Sequence, residues 1–140
     1  MTNLDAPARL LDRYRRRAQK EAQEPDRVRS IARRAGAKLQ EHRAHLGTLR
    51  DDLPVLLRLA RAWAGGDYRK IPWKSLVLLV AGLLYFLAPV DAIPDFIPVL
   101  GFLDDAAVIA YVLRAIQADV RAFEEWEAMR ASRAFPPEGA

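Results

Sequence analysis

The sequence predicts an all-α protein on three observations. Apolar residues recur every three or four positions over long stretches, no stretch alternates as a half-buried strand does, and an uncharged run of 16 residues occupies 75–90. The chain has 140 residues and no cysteine, which suits one small domain without disulfides or thiolate metal sites. We expect a small helical bundle that contains a hydrophobic helical hairpin.

Residues 1–65 are predicted to form a basic amphipathic helical region. The stretch 8–23 is helix-prone and stops near Pro25. From Val28 to Trp63, apolar residues recur at helical spacing opposite a charged face. The alternating 3-4 spacing from Leu39 to Trp63 is typical of a coiled-coil seam, so self-association stays open. Because this repeat is short and interrupted by Pro54, packing inside the monomer is favoured.

Some residues in this region should interrupt the helix that carries these apolar residues. Pro54 is expected to break or bend the helix, because proline lacks a backbone donor and clashes with the preceding turn. Asp51 and Asp52 stand where they can cap a restarted helix, and Gly65-Gly66 should end it.

Two further helices complete the predicted bundle. The third should start near Pro72-Trp73, with proline in its first turn, and end before Pro89. The fourth should begin at Asp104 or Asp105 and run to about residue 130. Residues 131–140 are expected to be a disordered tail.

Charge divides unevenly along the chain. Residues 1–74 carry 18 Lys or Arg against 9 Asp or Glu, whereas residues 75–140 carry 4 against 9. A basic half indicates contact with an anionic surface, either lipid headgroups or nucleic acid. Because the sequence holds no base-reading motif, lipid is favoured. The residues expected at the membrane surface are Arg13, Arg15, Arg16, Arg17, Trp73 and Lys74.

The uncharged run has three placements: a core helix of a soluble bundle, a hairpin dipping into one leaflet, or a short transmembrane helix over 72–90. A helix of 16 residues extends about 24 Å, less than a hydrocarbon core of about 30 Å. A helix that is apolar all round needs neighbours on every side. Since the other predicted segments are strongly charged, the sequence favours membrane association.

The segment APVDAIPDFIPVLGFLDD at 88–105 follows the run. An aspartate can cap a short helical turn in which proline follows three residues later, and glycine can end such a turn with a positive φ. We therefore expect a tight corner that reverses the chain between two apolar helices. The residues of this structural motif are Pro72, Trp73, Pro89, Asp91, Pro94, Asp95, Pro98, Gly101, Asp104 and Asp105.

A divalent-metal site is the alternative role for the acids of the corner. Carboxylates at this density can bind Mg²⁺, Mn²⁺ or Ca²⁺ through oxygen. The candidate ligands are Asp91, Asp95, Asp104 and Asp105. No histidine lies nearby, and the spacing matches neither an EF-hand loop nor a DDxxD motif. Capping is therefore favoured, and no metal or other cofactor is expected.

Residues 66–116 carry an ordered pattern of aromatic, proline, aspartate and glycine residues. The pattern consists of Tyr68, Ile71-Pro72-Trp73, Tyr85, Pro89, Asp91, Ile93-Pro94-Asp95, Ile97-Pro98, Gly101 and Asp104-Asp105. It resembles the YkvA-like family of small helical bacterial domains of unknown function. The resemblance implies a helical hairpin, usually regarded as membrane-associated, with no established activity. It does not extend to the basic residues 1–65.

These observations predict a non-enzymatic, membrane-associated protein with a basic region at 1–65 and a YkvA-like hairpin domain at 66–130. The sequence has no nucleophile elbow and no phosphate-binding glycine loop. Anionic lipid is the expected partner, and a second copy or another helical protein is a further candidate. With no export signal at its start, we expect the chain at the cytoplasmic side of a bacterial inner membrane. The alternative is a soluble helical binding module whose core is the apolar hairpin.

Overall fold

The computed structural model describes residues 5–87 and 98–134, and the side chains of 7–87 and 106–133. Within these residues the chain forms helices and no strands, which confirms the all-α prediction. The α-helices in the described ranges are α1 (Asp5–Glu21), α2 (Pro25–Glu41), α3 (Leu49–Ala64), α4 (Trp73–Leu87), α5 (Pro98–Ala115) and α6 (Gln117–Ala134).

The α2 and α3 helices form an antiparallel hairpin. Near its open end, the Arg29 guanidinium on α2 donates to the carbonyl of Ala64, the last residue of α3, at 3.3 Å. At its closed end the chain turns through a 3₁₀ turn at Arg43–His45 and through Gly47, whose φ is 57°. That positive φ suits glycine because it has no Cβ.

Of the break or bend expected at Pro54, the break was wrong, because the helix is interrupted earlier in the chain. Pro54 is inside α3, and the break falls between residues 42 and 48. The helix tolerates one lost backbone hydrogen bond because Leu49, Leu53 and Leu56 are each fully buried around it. The carboxylates at 51 and 52 lie in the first turn of α3 rather than at its cap, where the helix dipole favours negative charge.

The predicted end of α3 and the predicted start of α4 are confirmed. The α3 helix ends at Ala64, and Gly66 follows with a φ of 82°, as a glycine-terminated helix requires. The α4 helix begins at Trp73, and the carbonyl of Pro72 accepts the Leu76 N–H at 3.0 Å.

The last predicted helix was wrong in two respects, because it starts earlier than expected and is divided at residue 116 into α5 and α6. We expected a cap at Asp104 or Asp105 and a positive-φ turn at Gly101, but α5 already begins at Pro98 and contains all three residues. The fixed φ of proline is preorganised for a first helical position, which makes Pro98 a suitable start. At the other end, α6 continues to Ala134, which includes the first four residues of the predicted tail.

The core of the bundle is built around α4. Its residues from Leu79 to Phe86 are all buried. The α1, α2, α3 and α5 helices all contact it. We expected too few neighbours for an apolar helix, and this was wrong because the charged helices are amphipathic and turn apolar faces inward. The apolar residues that recur at helical spacing from Val28 to Trp63 are likewise buried inside the single chain.

The α4 helix runs antiparallel to α5, as a hairpin requires. Near its start, the Ser75 hydroxyl donates to the Asp119 carboxylate at 2.5 Å. Further along, a Cβ placed on Gly82 would lie 3.0 Å from a methyl carbon of Val112 and 3.5 Å from one of Ile109. Glycine at 82 therefore permits a close approach of the two helices.

The predicted transmembrane helix is not found within residues 5–87 and 98–134. No helix there combines the length and the apolarity that crossing a bilayer demands.

Candidate functional site

A row of cations follows the outer face of α1. Arg9, Arg13, Arg16 and Lys20 recur at intervals of 4, 3 and 4 residues, so they share one face of the helix. All four are exposed, and none has an ion-pair partner among the residues whose side chains the structure describes. We call these four residues the α1 stripe.

The opposite face of α1 fixes the direction of the stripe. Leu11 and Ala18 are fully buried and lie about half a turn around the helix from the stripe. Tyr14 packs edge-on against Tyr85 of α4, with ring centroids 5.7 Å apart. Because this apolar face is held against α4, the stripe must point away from the bundle.

The structure separates the four predicted surface arginines of α1 into two groups. An Nη atom of Arg15 lies 3.6 Å from a carboxylate oxygen of Asp12, and Nε of Arg17 lies 3.9 Å from a carboxylate oxygen of Glu21. The charges of these two arginines are therefore partly neutralised. Arg13 and Arg16 belong to the stripe. Sequence reasoning missed the two ends of the stripe, Arg9 and Lys20, although the 4-3-4 spacing was visible in the chain.

The predicted interfacial residues Trp73 and Lys74 lie at the amino end of α4, apart from its buried remainder. The Trp73 side chain is 47% exposed, the most exposed aromatic residue among the described side chains. Lys74 beside it is also exposed, as are Arg69 and Lys70 in the preceding linker. An exposed tryptophan among lysines and arginines has the composition of a lipid–water boundary.

Lys38 is the buried cation of the described core and was not singled out in the sequence. It is 9% exposed, its ammonium donates to the Phe86 carbonyl near the carboxyl end of α4, and it lies 4.6 Å from the centroid of the Phe86 ring. A cation at this end of a helix is favoured by the helix dipole. The contact fixes α2 against α4.

The pKa values of Tyr68 and Asp52 are shifted, and neither residue forms a reactive constellation with the described side chains around it. Burial raises the pKa of Tyr68, and the nearby charge of Asp119 adds to the rise. Burial also raises the pKa of Asp52, with a further contribution from Asp51. The Tyr68 ring packs 5.2 Å from the rings of both Phe123 and Trp126, which indicates a structural role in joining α6 to the linker before α4.

Most of the predicted corner lies outside the described residues. Pro89, Asp91, Pro94 and Asp95 lie outside the described residues, and the side chains at 98, 101, 104 and 105 are also outside the described set. The metal-site alternative for these acids therefore stays a hypothesis. Among the side chains that the structure does describe, no three His, Asp or Glu residues come together in a way that could hold a metal ion.

Comparison with known proteins assigns the family. A family model described as a protein of unknown function, DUF1232, matches residues 75–111. The uncharacterized membrane protein YkvA of Bacillus subtilis (strain 168) is 39% identical over 74 residues, which are 53% of this chain and 70% of that protein. The chain belongs to the YkvA-like family. No solved structure matches it.

The family match confirms the resemblance seen in the sequence. It covers α4 and most of α5, the antiparallel pair that meets at Gly82. The YkvA-like family is one of unknown function, and its Bacillus member is described as a membrane protein. The α1 stripe lies outside residues 75–111, so it belongs to the part of this chain that the family model does not cover.

Proposed function

We propose that this protein is a peripheral, non-enzymatic membrane protein that binds anionic lipid through the α1 stripe, with Trp73 as a second contact. The observation that carries the proposal is the stripe itself, four exposed cations on one face without acidic partners among the described side chains. A basic row opposite a packed apolar face suits attachment to an anionic surface. The membrane assignment of the Bacillus relative supports the same conclusion.

The burial of α4 favours surface contact over insertion. Inserting α4 into lipid would remove it from α1, α2, α3 and α5, which cover it in the bundle. Contact through the stripe leaves that core intact. We place the protein at the cytoplasmic face of the inner membrane, since anionic lipids there attract basic segments.

Flotation with vesicles tests this function. The wild-type chain is mixed with phosphatidylglycerol–phosphatidylcholine vesicles or with phosphatidylcholine alone, and then floated at low salt, at high salt and after an alkaline wash. We expect flotation with the anionic vesicles only, and release at high salt because surface charges are screened. Retention through both washes by the wild-type chain would contradict surface attachment and support insertion.

Matched variants locate the contact. The stripe variant carries Arg9→Gln, Arg13→Gln, Arg16→Gln and Lys20→Gln. The control variant loses the same number of charges at exposed, scattered positions: Arg34→Gln, Arg114→Gln, Arg121→Gln and Arg133→Gln. At about 1 kcal/mol per cation near the surface, the stripe variant should lose about 10²–10³-fold in vesicle affinity.

Three outcomes would overturn the proposal. Equal loss of affinity in the two variants would mean that net charge rather than the stripe determines binding. No flotation of the wild-type chain at low salt would leave the soluble binding module as the function. Stripe-dependent binding to duplex DNA without flotation would assign the stripe to nucleic acid, and its affinity would fall steeply with salt.

A further inference from the structure

A second basic feature lies between α2 and α3, in a cleft of about 400 Å³. The α2–α3 hairpin contributes five arginines to its lining, four from the two helices and Arg43 from the 3₁₀ turn between them, and no acidic residue lines it. The four helical arginines are Arg33, Arg50, Arg58 and Arg61. Leu39 and Leu57, both buried, form an apolar part of the same lining. The volume is within the range of about 300–1,000 Å³ typical of small-ligand pockets.

Most of the charge in this cleft is not neutralised by the protein. Arg58 forms a two-point ion pair with Glu127 of α6, at 3.0 and 3.3 Å. The other four arginines have no ion-pair partner among the described side chains. Like charges that share a low-volume site repel one another, and a bound anion would remove that cost.

One of these arginines lies close against the backbone of the opposite helix. A Cβ built on Gly36 would lie 2.7 Å from an Nη atom of Arg61. The absence of a side chain at position 36 therefore lets the Arg61 guanidinium lie close against α2. A planar guanidinium held in this way can form paired hydrogen bonds to phosphate oxygens.

We propose that the α2–α3 cleft binds the phosphate group of a monoester, with arginines from both helices as donors and the leucines beside its organic part. The ligand can be a soluble phosphate monoester or a lipid headgroup that ends in one, because both present the same dianionic group. This site is independent of the α1 stripe, which lies on another helix and on a face turned away from the bundle.

Thermal shift and calorimetry on the full chain test the site. Inorganic phosphate and glycerol 3-phosphate are titrated at constant ionic strength, with sodium chloride as the reference. We expect a saturable rise in melting temperature with each phosphate. A shift no larger than that of the chloride reference would overturn the proposal.

Two variants connect the binding to the cleft. Arg43→Gln with Arg50→Gln should weaken glycerol 3-phosphate binding by at least about tenfold, because each lost charge-assisted hydrogen bond contributes to affinity. The control, Arg114→Gln with Arg121→Gln, removes the same charge from exposed positions outside the cleft and should bind as the wild type does. Equal affinity of the two double variants would overturn the assignment.

Gly36→Ala tests whether weaker phosphate binding in a cleft variant could result from misfolding. Alanine favours a helix over glycine, and the atoms nearest to the added Cβ are the flexible end of Arg61 and a methyl carbon of Leu57, the latter at 3.9 Å. This variant should therefore melt at or above the wild-type temperature and still bind glycerol 3-phosphate more weakly. Unchanged affinity in a stable Gly36→Ala protein would exclude Arg61 as a phosphate ligand and contradict the proposed geometry.

A vesicle arm identifies the source of the phosphate. In the stripe variant, which lacks the α1 contact, binding to phosphatidic acid vesicles is compared with and without the Arg43→Gln and Arg50→Gln changes. Cleft-dependent vesicle binding that glycerol 3-phosphate displaces would support a lipid headgroup. If the Arg43→Gln and Arg50→Gln changes weaken binding of glycerol 3-phosphate but not of the vesicles, the ligand is a soluble phosphate monoester. If they weaken neither the binding of glycerol 3-phosphate nor the binding of the vesicles, the proposed site is overturned. Failure of the stripe in phosphatidylglycerol flotation leaves the solution titrations unaffected, so the two proposals fail separately.

Discussion

The α1 and α4 helices differ in length by two residues and pack against each other, yet they have opposite relations to solvent. The α4 helix is apolar on nearly every side and is enclosed by its neighbours. The α1 helix buries a narrow face and turns a row of cations outward. The difference teaches that an apolar run does not by itself identify the membrane-contacting part of a chain. Enclosure by amphipathic neighbours decides whether such a run is core or lipid contact.

The largest effect is expected from a substitution that creates a cavity beside α4, and it tests whether this apolar helix is enclosed. Leu79→Ala removes a fully buried side chain and should lower the free energy of unfolding by about 2–5 kcal/mol, the range for buried leucines. Leu78→Ala on the same helix is the control, because Leu78 is partly buried, and its cost should be clearly smaller. Urea denaturation in aqueous buffer measures both. Equal, small costs would mean that α4 is not packed in the soluble protein.

The contact between α4 and α5 gives the next largest effect. Gly82→Leu would force a side chain against Val112 and Ile109, and overpacking of this kind costs about 1–3 kcal/mol. Gly36→Ala is a matched helical glycine substitution in a position that faces a flexible arginine; it should stabilise by about 0.5–1 kcal/mol. A stabilised Gly82→Leu protein would contradict the close approach of the two helices.

How far sequence reasoning reached can be seen in these same elements. The 3-4 spacing of apolar residues located α2 and most of α3, because helix periodicity is a local signal. The start of α4 was located by Pro72, since proline suits a first helical turn. It failed at Pro54, where buried leucines hold a helix that local chemistry would interrupt. It also failed for the surroundings of α4, since neighbours on four helices are a tertiary property that local spacing does not contain.

The candidate sites also differ in whether a local sequence signal could predict them. The charge of α1 was evident from composition, and half of its stripe was predicted by residue. The α2–α3 cleft was not predicted, because its arginines are spread over residues 33–61 and meet only when α2 and α3 form their hairpin. Lys38 was missed for a related reason, since its partner Phe86 lies 48 residues away in the chain.

A smaller effect is expected at the linker that leads into α4. The pKa of Tyr68 is raised by burial and by the charge of Asp119, so the unfolded chain loses the phenol proton at a lower pH than the folded protein does. Stability should therefore fall as the pH rises above about 10, the ordinary tyrosine value.

Tyr68→Phe removes that dependence and provides the comparison. Melting temperatures at about pH 8 and pH 11 should differ more for the wild type than for the variant, because the other three tyrosines are common to both. An identical alkaline fall in the two proteins would show that Tyr68 ionises as readily in the folded state as in the unfolded state.

The smallest effect concerns α1 and has an unusual sign. Arg13 has cations at positions 9, 16 and 17, which are its helical neighbours, and each like-charged pair costs about 0.2–0.5 kcal/mol. Arg13→Gln should therefore raise the free energy of unfolding slightly while it weakens binding to anionic vesicles.

Arg15→Gln removes the same charge but loses the contact with Asp12, so it should not stabilise the protein. Added salt should narrow the difference between wild type and Arg13→Gln, because screening removes the repulsion. If Arg13→Gln lowers stability at low salt, the row of cations has partners in the folded protein, and α1 loses its contrast with α4.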